Sequence, residues 1–161
     1  MKWAVSVLWL LALPGTTALA DDVTGDLQCR FRHKVEEVSS LEAMPRAIVK
    51  YLHRAMDESA RPGDYPRPKM PEMAARGAPF NATDAIDTSL SMRRFIRAGR
   101  AGDVWFLWYE HGGFIYRKRI AVFAPGTRVV ARVDYEHENP CRLTDAIIEG
   151  GHRPRGAPDP Y

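Results

Sequence analysis

The tripeptide Tyr-Glu-His occurs twice, as Tyr109-Glu110-His111 and as Tyr135-Glu136-His137. Histidine changes charge near neutral pH, and a neighbouring carboxylate can orient it or share its proton transfers. Glu110, Glu136, His111 and His137 are therefore the candidate catalytic residues of a small hydrolase. Two arguments weaken that reading. Successive side chains of a strand point to opposite faces, so Glu110 and His111 cannot act as a dyad within one strand. The two copies also end parallel strands two spacings apart, about 9.5 Å, whereas zinc holds each nitrogen at about 2 Å. The two glutamates sit at a similar separation, near the wide end of that in inverting glycosidases, but nothing else marks a sugar hydrolase. The sequence has no G-x-S-x-G elbow, no C-x-x-C and no P-loop. No catalytic residue, metal or cofactor is assigned.

A second set consists of Phe106, Trp108, Arg117, Arg119, Arg132 and Asp134. Guanidinium forks match carboxylate or phosphate, and ring faces can stack on them. An expected groove of these residues would bind an anionic or amphipathic ligand.

Both sets depend on an antiparallel meander. From Leu90 to Tyr135 the pattern becomes β, with strands expected at 90–98, 103–111, 114–124 and 128–136, punctuated by "AGRAG", Gly112-Gly113 and Pro125-Gly126. With Gly112-Gly113 as a two-residue loop, His111 opposes Phe114 and Trp105 opposes Ile120. Closing the next hairpin at Pro125-Gly126 sets Ile120 opposite Ala131. This register gives a core face carrying Trp105, Leu107, Tyr109, Phe114 and Tyr116. It leaves Phe106, Trp108, Arg117, Arg119, Arg132 and Asp134 on a face open to water.

The remaining elements are fewer. Residues 27–35, "LQCRFRHKV", alternate apolar and basic and predict a further strand. Met44, Ile48, Tyr51, Leu52 and Ala55 form a helical stripe, with Pro45 in the first turn of a helix over about 45–56. Residues 57–71 are a proline-rich loop, 71–77 suit a short helix, and Asn81 suits a turn cap. Residues 141–149 are ambiguous between helix and strand, and 151–161 read as a disordered tail.

The N-terminus reads as an export signal: Lys2, an apolar run from Trp3 to Leu13, and cleavage after Ala20. The run is too short to span a membrane, and no later segment is long enough. In an oxidising compartment, Cys29 and Cys141 are expected to pair. The net charge of +3 does not by itself call for nucleic acid.

The expectation is thus a single α+β domain over 21–150, with an antiparallel meander of four to five strands packed on one main helix. The preferred function is a non-enzymatic periplasmic or secreted module that binds an anionic envelope component or an exported protein. The alternatives are the hydrolase above, and an accessory or inhibitor protein that docks through Phe106 and Trp108.

Overall fold

The computed structural model describes residues 21–57, 72–125 and 128–150. The signal read at 1–20, the proline-rich loop beyond Asp57 and the tail at 151–161 lie outside the described residues.

The chain forms helix α1 (Asp21–Gln28), strand β1 (Glu36–Val38), a 3-10 turn (Leu41–Ala43) and helix α2 (Arg46–Asp57). Strands β2 (Arg93–Ala101), β3 (Val104–His111), β4 (Arg117–Phe123) and β5 (Val129–Tyr135) follow, then helix α3 (Pro140–Ile148). The strands make one five-stranded sheet in the order β1-β2-β3-β4-β5, antiparallel throughout. The fold is an α+β mix, with the meander in the order expected.

Helix α2 begins just after Pro45, whose carbonyl accepts from the Ile48 and Val49 N–H groups at 2.9 and 3.1 Å. Ile48 and Leu52, one turn apart on α2, and Met44, in extended backbone just before it, bury against Phe95, Ala98, Leu107, Tyr109, Ala121 and Phe123. The ambiguous segment at 141–149 is helical. Asn139 caps α3 by accepting the Arg142 N–H at 3.1 Å, and Pro140 occupies its first turn.

The opposite sheet face is also covered, contrary to the expectation of one helix on one face. Ile96, Phe106, Trp108, Ile120, Val122, Ala131 and Tyr135 bury against Cys141 and Ile147 of α3, with Leu27, Phe31 and Val35 packed alongside. The predicted strand at 27–35 is not one. It is the end of α1 followed by an irregular segment, bent at Arg32 and His33, that lies on the sheet, where the rings of Phe31 and Phe106 are 5.0 Å apart. Its backbone bonds elsewhere: the Arg32 N–H donates to Asp145 at 2.8 Å. The Cys29–Cys141 disulfide ties this segment to α3. A bulge sets Ile96 beside Arg97 opposite Trp108. Arg97 is thereby buried over the rings of Phe31 and Trp108, and its charge is paired with Glu37. Residue 71 lies outside the described residues, and 72–77 do not form the expected short helix; Ala74 instead makes an isolated bridge to Arg94.

The main correction concerns the β3–β4 hairpin. Tyr109 opposes Arg119 and His111 opposes Arg117, so the chain reverses over 112–116 rather than at a two-residue turn. The glycines serve another contact. Gly112 N–H donates to Met92 O at 2.9 Å and Gly113 N–H to Asn81 O at 3.1 Å. A Cβ on Gly112 would lie 1.7 Å from the Asn81 carbonyl oxygen, and Gly113 has φ 96°. Asn81 holds that loop by side-chain bonds to Asp87 and to Leu90 O. Phe114, placed in the core by the two-residue register, is 90% exposed. The slip is three residues, an odd number, so it exchanges the faces of β4 relative to β3. Between β4 and β5 the slip is two: Ile120 opposes Val133 rather than Ala131, which leaves the faces unchanged.

Candidate anion-binding site

The corrected register splits the expected ligand set. Phe106 and Trp108 lie under α3, each at 0% exposure, with the Trp108 indole N–H donating to Thr144 Oγ1 at 2.9 Å. They form no exposed docking face. Arg117, Arg119, Arg132 and Asp134 go to the other face, the one that α2 covers.

On that face the rows run Arg93–His111–Arg117, then Phe95–Tyr109–Arg119–Asp134, then Leu107–Ala121–Arg132. The apolar cluster beneath α2 extends through Leu107 and stops at Tyr109. Beside the end of that cluster and beyond it, the sheet carries four arginines, one histidine and one aspartate. Arg117 Nη1–H donates to Asp134 Oδ2 and Arg119 Nε–H to Oδ1, both at 2.6 Å. The Nε atoms of Arg93 and Arg132 are buried and have no hydrogen-bond partner. A buried donor without a partner loses its hydration with nothing in return. Among the described residues, Asp134 is the only carboxylate that ion-pairs within this cluster.

The electrostatics follow from that imbalance. Burial, helped by Arg93, Arg119 and Arg117 against the opposing pull of Asp134, pushes the His111 imidazole down to about 4. His111 is therefore neutral at pH 7. Arg119 Nη1 lies 3.5 Å from His111 Nδ1. Arginine only donates, so this long contact uses the Nδ1 lone pair and leaves the imidazole proton on Nε2. Burial lowers the Arg93 guanidinium, and Arg132 and Arg119 add to this while Tyr109 opposes it. Burial raises the Asp134 carboxyl, but hydrogen bonds and charge from Arg117 and Arg119 outweigh it and hold the group below its ordinary value.

The other face of the same sheet end is balanced. Arg94 donates to both oxygens of the buried Glu110, once through Nη2–H to Oε1 at 2.8 Å, and Tyr116 O–H donates to the same carboxylate at 2.7 Å. Lys118 Nζ is 3.1 Å from Asp26, which also accepts from the Tyr135 hydroxyl. Each cation there has its own anion.

The structure does not bring the two Tyr-Glu-His copies together. Glu110 is buried on the face opposite His111, while Glu136 and His137 follow the end of β5 and are exposed. Among the described residues, no three His, Cys, Asp or Glu side chains are grouped to hold a metal.

Sequence reasoning missed Arg93 and Tyr109 as members of the cluster and treated His111 only as a hydrolase candidate. The Arg93-Arg94 pair carried a usable signal. Neighbours in a strand face opposite ways, so one arginine had to accompany Phe95 to the α2 face. Comparison with protein-family models, curated proteins and solved structures finds no match to this chain.

Proposed function

We propose that the protein is a non-enzymatic, exported binding module whose ligand presents an anionic group to Arg93, Arg117, Arg119 and Arg132. The observation that carries this reading is the pair of buried, unpartnered Nε–H groups on Arg93 and Arg132, in a cluster with one ion-pairing carboxylate. Repulsion among guanidiniums opposes folding unless something offsets it. An anionic oxygen would neutralise the cluster and accept the orphan donors in charge-assisted hydrogen bonds. The Nε2–H of neutral His111 and the Tyr109 hydroxyl offer two more donors. The disulfide, and the lack of a membrane-spanning helix among the described residues, are compatible with an exported protein.

Neither alternative gains support. Glu110 is buried and accepts three hydrogen bonds from Arg94 and Tyr116, which engages it as the partner of an ion pair. Docking through Phe106 and Trp108 would require unpacking α3.

Thermal unfolding in sulfate or phosphate, against chloride at equal ionic strength, tests the proposal. A ligand at ten times its Kd stabilises by about 1.4 kcal/mol, a shift of several degrees. The paired substitution Arg93→Met with Arg132→Met should abolish that shift. An equal shift in wild type and variant would sink the reading.

A further inference from the structure

The four arginines are not equally served. Asp134 spans Arg117 and Arg119, one carboxylate oxygen to each, while Arg93 and Arg132 lack a partner at Nε. Its carboxylate thus sits on these two guanidiniums in the way a ligand's would. Asp134 lies on β5, at the edge of the sheet, and its side chain is 36% exposed. It can swing to solvent by side-chain rotation, with no change in strand pairing. Arg119, in contrast, is largely buried, with its side chain 15% exposed.

We propose that Asp134 is an internal competitor, occupying on Arg117 and Arg119 the place of a ligand's anionic group and so setting the affinity of the site. The inference rests on the anion-binding reading above and adds a specificity-determining residue to it. A ligand of higher charge density than a carboxylate, such as a phosphate group, displaces Asp134. A weakly basic monocarboxylate exchanges like for like and gains little. Glu136, an exposed acid just beyond the end of β5 with no ion pair to these arginines among the described residues, has no such role.

The test is calorimetric titration of inorganic phosphate into the full chain at fixed ionic strength. Wild type, Asp134→Asn and Glu136→Gln are compared. Asp134→Asn keeps the shape and removes the charge, and should tighten phosphate binding at least about tenfold, equivalent to about 1.4 kcal/mol. Glu136→Gln should leave it within about twofold, the scale of a screened, distant charge. Equal tightening by both substitutions would reduce the effect to net charge and overturn the proposal. Wild-type binding that Asp134→Asn weakens or leaves unchanged would also overturn it, while leaving the anion site intact. Binding by none of the three would remove the anion site itself. A second readout needs no variant: the carboxyl carbon-13 resonance of Asp134 should move during a phosphate titration, with the same midpoint as binding. A resonance that stays still while phosphate binds contradicts displacement.

Discussion

Burial among the arginines acts on His111 in a measurable form. Its folded value of about 4 lies below the ordinary 6.5. Between these values the unfolded chain holds a proton that the folded protein refuses. Stability is therefore complete above pH 6.5 and falls as the pH drops towards 4. The loss amounts to up to about 3 kcal/mol from this group. Urea unfolding at pH 7 and pH 4.5 should show a smaller acid loss in His111→Gln than in wild type. Sulfate should shrink the wild-type loss, since a bound anion favours imidazolium. An acid loss identical in the two proteins would mean that the folded protein does not hold the His111 imidazole below its ordinary value. Trp108 shows the opposite case. Its aromatic-plus-basic neighbourhood in the sequence suggested an exposed face, yet it is sealed beneath α3 beside Arg97.

At the scale of elements, strands β2 to β5, seven to nine residues each, were legible because Gly and Pro turn signals bound their β-prone residues, and helix α2 because of its buried stripe. Residues 27–35 alternate cleanly without joining the sheet. Period two here reports alternate side chains turned inward; it says neither that the chain is a strand nor where its backbone hydrogen bonds go. Gly112-Gly113 misled for a related reason. The pair has the composition of a tight turn, but it permits close approach of the 81–92 segment, a long-range contact that local sequence does not encode. That single misreading exchanged faces and hid Arg93 and Tyr109 from the candidate site. Gly112→Ala should accordingly destabilise the protein by about 2–4 kcal/mol, the range of severe backbone conflicts. Gly102→Ala is the matched control. It lies in the β2–β3 turn, where a Cβ meets nothing within 4 Å, although its φ is 58°. Similar small losses in both would contradict the close-approach role.

At the scale of the whole molecule, two apolar layers sandwich one sheet, and the disulfide fastens the layer of α3 and the 29–35 segment. The bond spans 112 residues of sequence. The double substitution Cys29→Ser with Cys141→Ser should cost about 5 kcal/mol on the chain-entropy account. Thermal unfolding checks this, with an unchanged melting temperature as the contrary result. Fastening that layer leaves the arginine cluster, on the other face, as the region of unbalanced charge. The most direct measurement of the central claim is equilibrium binding of inorganic phosphate to the intact protein at fixed ionic strength. The prediction is saturable binding at one site per chain, lost in Arg93→Met with Arg132→Met while circular dichroism shows that the fold is retained. Phosphate binding that does not saturate, or that survives unchanged in the folded double variant, would contradict the assignment of an anion site to this face of the sheet.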